Sequence, residues 1–420
     1  MNRKHAGGFP NARSFRLAPR SGVVKRAGPP ATLAIGGARL SATARPRMRV
    51  LSVVSSSNQL YSGIGRALFE LTRRLTDRVE FAFAIDDAVP RNVNLLAQFC
   101  ESNKIALHVG PGRAVPDALD MLNDDLPALV RGQRWDLVEC ICWANTATNE
   151  ALLSALGDTP LCYTPHHQPT WSVPMSEAQA RHVEDVHHRV LNRASLVLCD
   201  STWERAHLQG LVPERYRCTF LPLGCDFEAF RAGPIQRARQ LLFVGDLAEP
   251  RKRFDRVLKV LERLHARVPD VRLVVVGNKS DQLSQSIPAH LRAAIELRGY
   301  VSERALRLAY AESHGLFLLS DFEAFGIPIL ESLACGTPVF LSSLEATRSL
   351  FEGFRGAHFC APDDSEATAH LVAQILTRGP DAIRETLADR PRLRSIFDWD
   401  ILAEKKWQSL AATWFRQRSA

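Results

Sequence analysis

A chain of 420 residues, 46% hydrophobic and 23% charged, has the make-up of a folded water-soluble protein and is too long for one compact core. Its net charge of +8 belongs to its start: ten of the 53 Lys and Arg precede Met48 in a stretch without Asp or Glu, which leaves the rest at −2 and argues against a nucleic-acid-binding body. No run approaches the roughly 18 apolar residues that span a bilayer, so any membrane contact is peripheral.

Residues 1–47, rich in Arg, Ala, Gly and Pro, read as a disordered or spurious basic extension. From Arg49 onward, short apolar runs alternate with helical periodicity. The runs 50–55, 81–85, 137–141, 161–164, 196–199 and 219–221 are expected strands. After the first of them Ile64, Ala67, Leu68, Leu71 and Leu75 share one helical face, the spacing of a helix packed on a sheet. Strand, crossover helix and strand, repeated, imply a parallel sheet. A lapse of periodicity over 226–240, around Gly233 and Pro234, reads as a linker.

A second series follows, with expected strands at 241–244, 273–276, 297–300, 316–319 and 338–341. Its first helix, 254–264, aligns Phe254, Val257, Leu258, Leu261 and Leu264. A last helix, 401–415, carries Trp407, Leu410 and Trp414 at helical spacing and needs an apolar surface to dock on. The expected fold class is therefore α/β, with two Rossmann-like doubly wound domains at 48–228 and 238–397, the first completed by a C-terminal helix at 398–416. Nine cysteines, several inside apolar strands (Cys140, Cys142, Cys162, Cys199) and none in a CxxC pair, fit a reducing, cytoplasmic compartment.

The segment that carries chemistry runs from Ser320 to Val339. It leaves a buried strand, crosses a loop with Glu323, Ala324, Phe325 and Gly326, starts a helix at Pro328, and ends at Gly336 before another strand. Proline suits a first helical turn and glycine the position past the last one. The amides near Gly326 and Pro328 and the helix dipole then make a seat for an anion such as a diphosphate. Glu323 lies before that seat and Glu331 one turn inside the helix, where both carboxylates reach one ligand. Two Glu at this spacing are commonplace; the whole string, with Ser320, Pro328, Ala334, Gly336 and Pro338, is not.

This string resembles the E-x7-E signature of the retaining glycosyltransferases of family 4, which have the GT-B fold with two domains facing a central cleft. The resemblance extends in element order from Met48 to about Phe415. It implies that Glu323 lies against the donor sugar, that Glu331 contacts the nucleotide ribose, and that Phe325, Gly326 and Ile327 line the donor site. The Gly245 turn with Arg251 and Lys252 is similar to the family's G-x(n)-R-K segment, whose cations neutralise the departing diphosphate. Ser62, Gly63, Ile64 and Gly65 resemble its N-terminal glycine-rich loop, and His166, next to His167, its cleft histidine. Ser201 reads as a helix N-cap.

The implied activity is hexosyl transfer, with retention, from a nucleotide-sugar to a glycan, lipid-linked or small-molecule acceptor. No metal is required, since no D-x-D follows a suitable strand and the cations and amides hold the diphosphate. The basic helix with Arg66, Arg73 and Arg74 is read as a point of peripheral contact at the inner face of a membrane. Ala324 stands where the family has Gly, Asp246 where it often has Arg, and a Pro-Glu pair is missing around Arg348 and Ser349. Two rival readings are a non-catalytic nucleotide- or sugar-binding protein on the same scaffold and an oxidoreductase. The second fails for want of a full G-x-G-x-x-G with a downstream acid.

Overall fold

Strands rich in Val, Leu and Phe are buried along their length here, as parallel strands covered by helices on both faces must be. The computed structural model describes residues 47–58, 60, 63–166, 175–212, 217–234, 236–247, 249–277 and 287–418. The first half contributes β1 (Met48–Val53), β2 (Val79–Asp86), β3 (Ala106–Gly110), the hairpin strands β4 (Gly112–Ala114) and β5 (Met121–Asn123), then β6 (Leu137–Ile141), β7 (Leu161–Thr164), β8 (Leu196–Cys199) and β9 (Arg217–Phe220). Apart from the antiparallel hairpin, they form one parallel sheet in the order β3-β2-β1-β6-β7-β8-β9.

The second half contributes β10 (Gln240–Val244), β11 (Arg272–Val276), β12 (Ile295–Gly299), β13 (Gly315–Leu318), β14 (Val339–Ser342) and β15 (Ala357–Cys360), parallel throughout in the order β12-β11-β10-β13-β14-β15. Both halves are Rossmann-like. In each, strand order reverses beside the first strand, between β1 and β6 and between β10 and β13, so the loops leaving those strands part and open a crevice.

Every expected strand is present, displaced by up to two residues at its ends. The edge strands β3 and β15 and the small hairpin were not expected. An edge strand is covered on fewer sides, so β3 (Ala-Leu-His-Val-Gly) keeps only Gly110 buried and β15 only Cys360, and neither reads as an apolar run.

The helix Gly63–Leu75 buries Ala67, Leu68, Leu71 and Leu75 on the first sheet, as its periodicity dictates. At the far end the chain returns to that half: the Cys225 amide donates to the Phe397 carbonyl at 2.9 Å, and Trp399 is buried against Gly224. The helix Trp399–Arg418 then packs along Gly63–Leu75. It brings Lys406 Nζ to 2.5 Å from Glu139 Oε1 inside the first half, and Ser52 Oγ donates to the other oxygen of Glu139 at 2.9 Å. Among the described residues no helix is long and apolar enough to cross a membrane.

Candidate functional site

The crevice of the second sheet is built from the loops after β10 and β13. After β10 a single 3-10 turn, Pro250–Lys252, ends at Arg253, which sits in the left-handed region at φ 46°. After β13 the chain runs from Ser320 to Gly326, whose φ of 81° favours glycine and makes it the residue preceding the helix Ile327–Ala334, with Pro328 in the first turn. The two loops are sewn together. The Asp321 amide donates to the Arg251 carbonyl at 2.8 Å, Arg251 donates to the Phe322 carbonyl at 3.1 Å, and Arg253 pairs with Asp321 at 3.0 Å.

That stitching places Lys252 Nζ 2.5 Å from Glu323 Oε1, which also accepts from Ser320 Oγ at 3.0 Å, with Arg251 3.6 Å away. Both partners are almost wholly buried, at 11% and 8% side-chain exposure. Burial raises the Glu323 carboxyl, but the charges of Lys252 and Arg251 and the bonds from Lys252 and Ser320 outweigh it and hold it below its ordinary value. Glu323, Lys252 and Arg251, expected around one donor, thus stand side by side. Arg251 also pairs with Glu249 at 2.5 Å, so part of its charge is already spoken for.

The start of the Ile327–Ala334 helix faces the first half. Gly63 meets it directly: a Cβ there would lie 2.7 Å from Ile327 Cδ1, so glycine is what permits this approach. One turn further into both helices, Glu331 is buried and ion-paired with Arg66 of the opposite half. Burial drives the Glu331 carboxyl above its ordinary value, with Arg66 offsetting only part of the rise. The residue expected at the ribose is therefore bound to an arginine in this structure, a partner that local sequence spacing does not reveal.

In the first half His166 follows β7 at φ 64° and places Nδ1 2.9 Å from Oδ2 of Asp200, the residue after β8. Ser201 caps the next helix, Thr202–Gln209, by accepting from the Glu204 amide at 2.9 Å. Asp200 is the second residue missed; it lies 34 positions from its partner with no motif between them.

Other expected donor residues serve differently. Phe325 points away from the crevice into an aromatic cluster with Phe351 and Phe397, at centroid distances of 5.8 and 5.9 Å, so only its backbone is available to a ligand. Gly65 lies against the Leu60 carbonyl, which a Cβ would overlap, so its place is in the turn rather than in the crevice. Gly245 turns the chain after β10, its amide donating to the Val276 carbonyl at 3.0 Å. Residues 1–46, Ser62 and His167 lie outside the described residues. The basic helix is not a free cationic face: Arg66 pairs with Glu331, Arg73 with Glu70, and Arg74 with Glu70 and Asp400.

Known proteins resemble both halves of the chain. Residues 62–224 match the Glycosyl transferase 4-like domain family and residues 226–390 the Glycosyl transferases group 1 family. The phosphatidyl-myo-inositol mannosyltransferase of Mycolicibacterium smegmatis is 28% identical over 265 residues, 60% of this chain and 64% of that one. A glycogen synthase of Mycobacterium tuberculosis is 27% identical over 290 residues, 65% of this chain and 68% of that one. The chain thus matches about two thirds of the length of these relatives. Among solved structures, Anabaena HepE in complex with UDP-glucose superposes with a TM-score of 0.69 at 16% identity, covering 87% of this chain and 100% of that one. Sucrose-phosphate synthase from Thermosynechococcus elongatus does so with a TM-score of 0.67 at 18% identity, covering 88% and 100%. With one glycosyltransferase family matched by each half and the architecture shared over 87% of its length, the chain belongs to the glycosyltransferases of GT-B fold.

Proposed function

We propose that this protein is a retaining glycosyltransferase of family 4 that moves a hexosyl group from a nucleotide-sugar to a glycan, lipid-linked or small-molecule acceptor. The observation that carries the reading is the buried Lys252–Glu323 pair at 2.5 Å beside the start of the Ile327–Ala334 helix. A sugar diphosphate seated on the amides of Gly326 and Ile327 puts its phosphates at the positive end of that helix and beside Lys252 and Arg251. Glu323 then lies at the sugar, with its charge kept by the same lysine.

Transfer breaks the bond between the anomeric carbon and the diphosphate oxygen and forms one from that carbon to the acceptor oxygen; the acceptor proton passes to the departing phosphate. Charge grows on the diphosphate as it leaves, and fixed cations and dipoles there lower the barrier without rearranging. Attack from the face of departure retains configuration. The reading invokes no metal, because cationic side chains and helix amides do the stabilising. The phosphatidyl-myo-inositol relatives favour a lipid-linked acceptor, and the UDP-glucose held by HepE favours a UDP-sugar among donors to try first.

The test is turnover of a panel of UDP- and GDP-sugars by the wild type and by Glu323→Gln and Lys252→Ala. Loss of turnover in both, with folding intact by circular dichroism, is expected at about 100-fold or more. Undiminished turnover in both removes the proposed roles, and nucleotide binding without transfer or donor hydrolysis favours the non-catalytic reading.

A further inference from the structure

His166 sits in the left-handed region at φ 64°, uncommon for a residue with a side chain. Its ring is anchored on one side. Nδ1 faces Asp200 Oδ2 at 2.9 Å, and both side chains are buried, at 7% and 3% exposure. An ionised carboxylate only accepts, so Nδ1–H donates to it, and Nε2 is the ring nitrogen left for a substrate.

Asp200 is itself braced. Its amide donates to Glu204 Oε2 at 2.6 Å, and Ser201 closes the turn by capping the helix that Glu204 belongs to. The Glu204 carboxyl is driven up by burial first and by the Asp200 charge second, so the helix start tolerates two adjacent acids. The next two residues, at the start of that helix, reach across to the second half. Thr202 Oγ1 donates to the Ser349 carbonyl at 3.3 Å, the Trp203 amide to Ser349 Oγ at 3.4 Å, and Trp203 Nε1 to Glu345 Oε2 at 2.7 Å. Glu345 and Ser349 lie on the helix Glu345–Phe351 that follows β14 of the second half.

Four consecutive residues, Asp200 to Trp203, therefore join the ring of His166 to the opposite half of the molecule. We propose that Asp200 is the positioning residue of His166, fixing its Nδ1–H form and ring orientation, and that the Trp203–Glu345 contact sets Asp200 from the donor side of the cleft. The proposal rests on the sugar-transfer reading with His166 as the cleft histidine, and it adds how that ring is aimed. Any rotation of one half against the other must move or break the Trp203 contact, and the strain falls on the residues immediately before it. A ring displaced by about 1 Å costs on the order of 100-fold in rate while leaving the donor bound, because orientation and not affinity is lost.

The experiment uses the full chain with histidine ring nitrogens labelled with 15N, the His166 signals assigned by their loss in His166→Gln. Wild type is expected to show the Nδ1–H form at His166. Asp200→Ala is expected to abolish it and to lower kcat by about 100-fold with the donor KM within about twofold. Asp200→Asn, which keeps an accepting oxygen in the same shape, retains the Nδ1–H signal and recovers part of kcat. Trp203→Phe, which removes the donor to Glu345 and keeps an aromatic ring beside His207, shifts the His166 signals and lowers kcat in the same direction. An Nδ1–H signal that survives Asp200→Ala, or a kcat unchanged when the signal is lost, overturns the positioning role. Unshifted His166 signals in Trp203→Phe overturn the link across the cleft. A wild type that turns over no nucleotide-sugar sinks the sugar-transfer reading alone, since the ring signals still decide between Asp200 and no partner.

Discussion

Arg66 and Glu331 form an ion pair between the two halves of the molecule, with Glu331 at 3% side-chain exposure and Arg66 at 34%. A carboxylate that deep is stable only while its partner stays, whereas the arginine can return to water. Removing Arg66 alone, as Arg66→Gln, is expected to lower stability by about 2 kcal/mol, at the lower end for a broken buried pair because solvent reaches the arginine. The double variant Arg66→Gln with Glu331→Gln is expected to recover most of that loss, since no orphan charge remains. Urea denaturation of the four forms closes the cycle; strictly additive losses refute a direct pairing.

The Glu323 carboxyl sits below its usual value, 4.5, with burial opposing and Lys252, Arg251 and Ser320 prevailing. A carboxyl with a depressed folded-state value stabilises fully above its unfolded value and loses that contribution as pH falls through the folded one. Between pH 5 and the acid side of 4, about the range in question, wild type is expected to lose stability more steeply than Glu323→Gln. Parallel curves of denaturation midpoint against pH show that the pair contributes nothing.

His187 behaves oppositely to a paired acid. Its ring is enclosed beneath β7, with Nδ1 2.9 Å from the Tyr163 hydroxyl, and burial, then His188 and His207, push its value down to about 3. The unfolded chain takes up this proton near pH 6.5 and the folded one does not, so stability falls as pH drops from about 6.5 toward 3, by about 1.4 kcal/mol per unit at the steepest. His187→Gln is expected to flatten this part of the profile. A variant with the wild-type slope between pH 6 and 4 shows that other groups carry it.

Lys406 and Glu139 are both enclosed, at 3% and 1% exposure, and lie 2.5 Å apart. Lys406→Met strands a carboxylate in the interior and is expected to cost about 3–5 kcal/mol, while adding Glu139→Gln restores much of it. Equilibrium unfolding monitored through the tryptophan emission checks both. A wild-type midpoint in Lys406→Met means that the pair is dispensable.

How far the chain could be read from its letters depends on what kind of signal each feature leaves. The alternating apolar runs and the face formed by Ala67, Leu68, Leu71 and Leu75 announce two doubly wound halves because burial on both faces of a parallel sheet demands such runs. Glu323 and Lys252 were legible one at a time, each from its place in a local string; their meeting at 2.5 Å follows from the adjacency of β10 and β13, which no string records. Arg66 and Asp200 were not legible. Each acts through a partner distant in sequence, 265 positions away at Glu331 and 34 at His166. Phe325 illustrates the reverse: its neighbours in the motif border the crevice while its ring turns inward to Phe351 and Phe397.

The helix that brings Lys406 to Glu139 has a consequence for how the molecule is made. A ribosome delivers the first sheet early and the Trp399–Arg418 helix only after the whole second half. Until then Glu139 and Ser52 wait for a lysine not yet synthesised, with the apolar flank of the Gly63–Leu75 helix uncovered. The first half is thus finished only once the second has been made, and a nascent chain stalled anywhere before Lys406 exposes a surface for chaperones to hold.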